Sequence, residues 1–394
     1  MLRMEDPLRG RDMLCFSHDF TGDPLSKTHV MRILARDNRV LWVNSIGYRA
    51  PRASAHDLRR VVDKLRAAAT PVREVEKNLF VLSPLAIPAY GVPSMQALNR
   101  VLLRLQVGRA MRALRFSRPI NWVFNPAAAL VAGTLGEDLV IYYCVDEYTA
   151  FEGVPKAALV DLERRLLRRA DLVIVSASRL FDAKARENPR TVLVRHGVDF
   201  ARFRTALDPE TAIPADVARL PRPILGYFGL MGTDWFDVPL LEHVARAFPG
   251  GSVVLIGKVA TDLGALARMP NVHVLGRRPF AELPGYCKAF DVGLLPFPIN
   301  EVTLAANPLK VREYLAAGLP VVSTAIPEVE VLGDACRIGR DPAGFVREIE
   351  AALASPGSRV DRSESMRGES WEARVDEIRR HVGAIRPRGA AVAT

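Results

Sequence analysis

The stretch NPLKVREYLAAGLPVV, residues 307–322, decides how the chain is read. Asn307 reads as a helix N-cap and Pro308 as the first helical residue, because proline needs no amide partner there and its fixed φ suits a helix start. Gly318 ends the helix, and Pro320 keeps it from restarting before the strand VVST. A helix that passes directly into an apolar strand is one leg of a crossover. Its first turns nevertheless carry Lys310 and Glu313, three residues apart and so on one face.

Two readings of that pair stay open. In one, Lys310 and Glu313 are an ordinary surface ion pair. In the other, the unpaired amides at the helix start, around Asn307, Pro308 and Leu309, seat a phosphate, and Lys310 adds a mobile positive charge. Glu313, facing the same way, then accepts hydrogen bonds from paired hydroxyls such as those of a ribose.

Outward from this helix the chain alternates strand and helix in both directions. Before it stand MLCFS, RVLWVNS, NLFVLSP, INWVFN, LVIYYCV, DLVIVSA and TVLVRHG, with helical segments between them. A stretch rich in Pro, Asp and Ala follows, LDPETAIPADVARLPRP, and the alternation resumes with ILGYFG, SVVLIGK, VHVLGR, DVGLLPF and PVVST. Alternation of this kind predicts the α/β class, here two doubly wound parallel sheets. The expected division is a first domain over 1–200, a linker over 201–223, a second domain over 224–369 and a terminal helix over 370–388. Ligands of such sheets bind beyond the carboxyl ends of the strands, so the cleft between the domains is the expected site.

Composition fits that reading. The 394 residues exceed what one growing core accommodates, and 49% apolar with 25% charged residues is the balance of a globular protein. No apolar run is long enough to span a bilayer, and the opening MLRMEDPLRGRD lacks the apolar segment of a secretory signal, which predicts a cytoplasmic protein. Cys15, Cys144, Cys287 and Cys336 are far apart in apolar surroundings and read as buried thiols. With no Asp-x-Asp motif and no compact cluster of His and carboxylates, no metal is expected.

The net charge of +10 is concentrated in the first half. DLRRVVDKLRAAA and SMQALNRVLLRLQVGRAMRALRFSR read as basic amphipathic helices, with arginines 100, 104, 109, 112, 115 and 118 set between Leu98, Val101, Leu102, Leu105 and Met111. They are either solvated helix faces or a docking surface for an anionic membrane. Nucleic acid is not expected, because no zinc-finger spacing occurs and no aromatic platform lies among the arginines.

Taken with these motifs, almost the whole chain resembles retaining glycosyltransferases of the two-domain GT-B kind, group 1 or family 4-like. GYFG at 226–229 resembles the first strand and loop of their nucleotide-binding domain. NVHVLGRRPFAELPGYCKAFDVGLLPF and NPLKVREYLAAGLPVVST resemble its later strands and donor-binding motif. TVLVRHGVDFARF is similar to the segment joining their domains, and SWEARVDEI to their terminal helix. The opening SHDFTGDPLSKTHVMRILARDNRVLWVNS resembles the branch that builds bacterial exopolysaccharide or cell-surface glycans.

The resemblance implies an enzyme that moves a sugar from a nucleoside diphosphate sugar, UDP or GDP, to a glycan or lipid-linked acceptor with retention at the anomeric carbon and no metal cofactor. It places Glu313 on the donor ribose and the helix start through Lys310 on the diphosphate, and makes Gly229 of GYFG a further donor-binding residue. The family's second glutamate, eight residues before Glu313, is here Ala305, and Glu301 in the loop INEVT is the carboxylate left to approach the sugar. Only Gly22 remains of the phosphate loop near the first strand. The histidine that relatives place after a strand of the first domain is missing, which leaves Asp146 in YYCVDEY as the candidate there, with His196 and Lys258 as further catalytic candidates. Two other functions remain open, a non-catalytic nucleotide-sugar-binding protein and a nucleotide-sugar epimerase of similar fold.

Overall fold

A computed structural model of the chain describes residues 6–20, 24–46, 71–151 and 155–385. It divides into two compact units. The first holds Met1–Arg195 together with Val375–Thr394, and the second holds His196–Arg374.

In the first unit the strands are β1 (Asp12–Phe16), β2 (Arg39–Val43), β3 (Arg73–Glu76), β4 (Leu79–Leu82), β5 (Ile120–Val123), β6 (Leu139–Cys144), β7 (Leu172–Val175) and β8 (Thr191–Leu193). They form one sheet in the order β3-β4-β2-β1-β5-β6-β7-β8. All neighbours are parallel except β3, which runs antiparallel to β4 at the edge. The inner strands are continuous apolar runs because both of their faces are covered, as in β6, where every residue is buried. The charged strand REVE of β3 was not expected from the sequence, and its composition suits an exposed edge. Helices α1 (Ser26–Leu34), α2 (Pro93–Leu114), α3 (Lys156–Arg169) and α4 (Ser178–Lys184) connect the strands. In α3, Leu159, Leu162, Leu166 and Leu167 form the buried stripe, and the arginines lie outside it.

The second unit carries β9 (Ile224–Phe228), β10 (Ser252–Ile256), β11 (Val272–Gly276), β12 (Val292–Leu295), β13 (Val321–Thr324) and β14 (Arg337–Gly339) in the order β11-β10-β9-β12-β13-β14, all parallel. Its helices are α5 (Phe200–Arg204), α6 (Val238–Ala247), α7 (Leu283–Ala289), α8 (Glu301–Leu304), α9 (Leu309–Ala316), α10 (Pro327–Glu330), α11 (Pro342–Ala354) and α12 (Arg359–Glu364), while the last helix, α13 (Trp371–Gly383), starts in the residues of this unit and ends in those of the first. Residues 201–223, expected to be a linker, are folded into this unit instead. Phe203 and Val217 are fully buried in its core, and the Phe203 ring stacks on Phe228 with centroids 6.1 Å apart. Ala206 is buried with them, and Lys288 Nζ donates to the carbonyls of Asp208, Pro209 and Thr211, which fastens the segment.

Both sheets are doubly wound. In each, the chain moves outward from its first strand and then restarts on the other side, so strand order reverses between β1 and β5 and between β9 and β12. Crevices at such reversals receive ligands beyond the strands' carboxyl ends. The four cysteines are free and buried.

Candidate functional site

At the β9/β12 reversal the second unit builds a site around α9. The helix is held by burial of Val311, Tyr314 and Leu315. Its end is a Schellman motif: Leu319 N–H donates to Tyr314 O (2.9 Å) and Gly318 N–H to Leu315 O (2.8 Å), with Gly318 at φ +76°. The expected stop at Gly318 is therefore observed. Gly293 of β12 lets the helix close onto the sheet, since a Cβ there would stand 2.8 Å from the Tyr314 ring. The Tyr314 hydroxyl accepts from Phe228 N–H (3.0 Å), tying α9 to the end of β9.

The start of the helix differs from expectation. Pro308 occupies the cap position, Leu309 is the first helical residue, and no side chain caps the first turn. Asn307 is otherwise engaged, because its Oδ1 accepts from Arg312 Nη1 at 2.7 Å. Arg312 is only 1% exposed, and a guanidinium so buried must be given acceptors. Glu369 supplies the other at 3.4 Å and is itself paired with Arg374. The Asn307 carbonyl in turn accepts from His196 Nδ1 at 2.8 Å, which fixes the proton on that nitrogen. His196 lies 5.8 Å from Trp371, and Gly197 allows the Trp371 backbone to approach, since a Cβ would come within 2.8 Å of its nitrogen. His196 thus fixes the backbone at the helix entrance.

Lys310 runs across the carboxyl end of β9. Its Nζ lies 5.8 Å from the Tyr227 ring centroid and 5.5 Å from that of Phe297. Gly229, with φ +146°, makes room for it: a Cβ there would stand 1.9 Å from Lys310 Cε. Burial pushes the Lys310 ammonium below its usual pKa, and the Glu313 charge opposes that shift. Glu313 itself is 8% exposed, so the pair is no solvated surface bridge. Gly257, at φ +135°, packs on the Gly229 carbonyl. The next residue, Lys258, is exposed, and its carbonyl accepts from Met231 N–H at 2.9 Å.

Glu301 and Asn300 do not lie in an open loop as expected. Asn300 caps α8, with Oδ1 accepting from Thr303 N–H at 2.9 Å, and Glu301 is its exposed first residue. Ala305 closes the same short helix and is buried, so no carboxylate stands at that position.

In the first unit, Asp146 follows β6 and lies near Lys27 of α1. The sequence showed Lys27 only as part of a loop, and its partner stands more than a hundred residues away. Lys27 is buried, and its Nζ comes within 3.4 Å of the Tyr148 hydroxyl. Burial lowers the Lys27 pKa and the Asp146 charge most strongly opposes this. Burial likewise raises the Asp146 carboxyl, and Lys27 draws it back. His18, after β1, is pushed down to about 3, chiefly by burial and then by Lys27, so its ring is neutral at ordinary pH. The adjacent Glu147 serves structure: Lys184 bridges it to Glu163 at 3.0 and 2.8 Å. Gly22 and the basic segment 57–69 lie outside the described residues. Among the described residues no group of three or more His, Cys, Asp or Glu is placed to hold a metal.

The structure thus brings Gly229 and Lys310 into contact, joins His196 to Asn307, and sets Asp146 in a separate cluster of the first unit. Residues 222–355 match the family model of group 1 glycosyl transferases. Over 288 residues, 66% of this chain and 71% of the relative, the sequence is 26% identical to the "Putative teichuronic acid biosynthesis glycosyltransferase TuaH" of Bacillus subtilis. The fold is that of sucrose-phosphate synthase from Thermosynechococcus elongatus, with TM-score 0.66 and 16% identity over 93% of this chain and 97% of that one. It is equally like Anabaena HepE solved with UDP and glucose, with TM-score 0.67 and 14% identity over 94% and 99% of the two chains. The chain therefore has the GT-B fold, two Rossmann-like α/β domains, and is related to group 1 glycosyl transferases.

Proposed function

We propose that this protein is a glycosyltransferase that moves a sugar from a UDP or GDP sugar to a glycan or lipid-linked acceptor, with retention at the anomeric carbon. The observation that carries the reading is Lys310, held against Gly229 and two aromatic rings beside the uncapped first turn of α9. That arrangement supplies what a departing diphosphate needs. Negative charge grows on the leaving phosphate as the glycosidic bond breaks, so amides and an ammonium fixed there stabilise the transition state more than the ground state. The leaving phosphate oxygen is the base that takes the acceptor proton, and no side-chain nucleophile is assigned.

His196, through the Asn307 carbonyl, holds the backbone from which those amides project. Glu313 accepts the ribose hydroxyls. Lys258 is assigned a secondary electrostatic role from the end of β10. Asp146, whose carboxyl is raised by burial and drawn back by Lys27, orients the acceptor hydroxyl or steadies positive charge on the sugar. The likeness to TuaH, named for teichuronic acid biosynthesis, supports a glycan as the product class, and the cytoplasmic face of the membrane is the place of action in this reading.

A second reading rests on Ala305. Without a carboxylate there, a protein that binds the donor and turns nothing over has the same α9. Incubation of a panel of UDP and GDP sugars with a bacterial envelope lipid extract separates the cases. Acceptor-dependent release of one nucleoside diphosphate, with a new glycoside of unchanged anomeric configuration, is expected. A new donor isomer formed without acceptor would indicate an epimerase, and binding without consumption a non-catalytic protein.

A further inference from the structure

Helix α2 has two apolar faces, one buried and one exposed. Asn99, Leu103, Val107, Ala110 and Met111 are buried. On the opposite side Leu98, Val101 and Leu105 are 40%, 55% and 62% exposed, although they repeat at the spacing of a packed helix face. The same stripe continues one and two turns later as Arg109 and Arg112, both exposed, and Arg100 and Arg104 flank it. The 22 residues of α2 include no Asp or Glu. None of these four arginines is paired with a carboxylate of the described residues.

The segment before the helix is fastened alongside it. Gln106 exchanges both amide hydrogen bonds with the backbone of Leu85, at 2.8 and 3.0 Å. Asn99 does the same with Ile87, at 2.8 and 2.7 Å. Two side-chain amides thus hold an extended strip against α2 while leaving Leu85 and Ile87 exposed.

We infer that this outer face of α2 docks on an anionic membrane surface, with Leu98, Val101 and Leu105 entering the headgroup boundary and the arginines meeting lipid phosphates. Exposed apolar residues interleaved with arginines that pair with no carboxylate of the described residues match that layered environment in both parts. A second copy of the chain fits less well, because a twofold interface would bring arginine against arginine with no acid on the helix to separate them. Nucleic acid would want aromatic stacking partners, and α2 has no aromatic residue. The inference is independent of the assignment of α9.

The test is sedimentation of the full chain with phosphatidylcholine vesicles and with vesicles also containing phosphatidylglycerol. Binding to the anionic vesicles alone, weakened by raised salt, is expected. Arg104→Gln and Arg109→Gln should each weaken it about fivefold, and Leu105→Asn about tenfold. Unchanged thermal melting and an unchanged circular dichroism spectrum show that these surface variants remain folded. No binding, or equal binding to neutral vesicles, overturns the inference. Binding lost in Arg59→Gln/Arg60→Gln and kept in the α2 variants overturns it by assigning docking to residues 57–69. Self-association abolished by Leu105→Asn, without vesicle binding, makes the face a contact between copies.

Discussion

Gly229 and Lys310 occupy one space: a Cβ on Gly229 would lie 1.9 Å from Lys310 Cε and 2.6 Å from its Nζ. Neither residue is explained by its neighbours in sequence. The glycine sits at φ +146°, which other residues rarely adopt, and the lysine crosses the place where a side chain would otherwise be. Replacing Gly229 by Ala should therefore cost about 1–3 kcal/mol in backbone strain and also displace the ammonium. Urea denaturation reads the first effect and nucleoside diphosphate titration the second. A variant of normal stability and normal affinity would show that Lys310 is not fixed by this contact.

Lys310→Met keeps much of the packing on Tyr227 and Phe297 and removes the charge. Turnover should fall about a hundredfold or more, the order of one lost oxyanion-type donor, with the melting temperature little changed. An unaltered kcat at saturating donor would leave Lys310 a structural residue.

The entrance to α9 depends on a buried cation. Arg312→Met leaves Asn307 Oδ1 without its donor and removes a partner of Glu369, although Arg374 still pairs with that carboxylate. A loss of about 3 kcal/mol is expected, the lower end of what breaking a buried pair costs. The urea midpoint should fall without a change in slope. A stable variant that still binds nucleotide normally would show that Asn307 needs no such anchor.

His18 gives the first unit a defined acid response. Its folded pKa is about 3, below the ordinary 6.5, so the unfolded chain binds the proton more readily. The resulting stability is complete above pH 6.5 and is lost progressively as pH falls from there towards 3. His18→Gln should flatten this part of the profile. An unchanged slope in chemical denaturation across that window would assign the acid response to other groups.

Lys27 and Asp146 are expected to act as a unit. Removing the ammonium in Lys27→Met takes away the charge that draws the Asp146 carboxyl down, so its pKa should rise further. The acid limb of the kcat/KM profile should then move to higher pH, and Asp146→Asn should abolish that limb. A fall in rate at every pH with the limb unmoved would make Lys27 a packing residue.

The regular alternation of apolar runs made both sheets readable from sequence, because inner parallel strands are buried on both faces and need no partner to be recognised. The edges were less legible. In β3 the residues Arg73, Glu74 and Glu76 carry charge outward, and β14 is only three residues long. Phe203 and Val217 looked like isolated apolar residues in a linker until the core they enter was visible. At the site, the spacing of Lys310 and Glu313 was legible as one helix face. Asn307 was misread as a cap because its true partner, Arg312, is itself tied to Glu369. Lys27 was overlooked for the same reason, since its neighbour Asp146 comes from another strand's end.

If α9 is a seat for a nucleoside diphosphate, Glu313 meets the ribose. Calorimetric titration with UDP and GDP, and with their 2′,3′-dideoxy analogues, addresses that contact atom by atom. For the wild-type chain the favoured ribonucleotide should bind at least about tenfold more tightly than its dideoxy analogue, the worth of hydrogen bonds to a charged acceptor. In Glu313→Ala that difference should vanish while the protein stays folded. A ribose preference that survives in Glu313→Ala, or a wild-type chain that binds all four compounds equally, would contradict it.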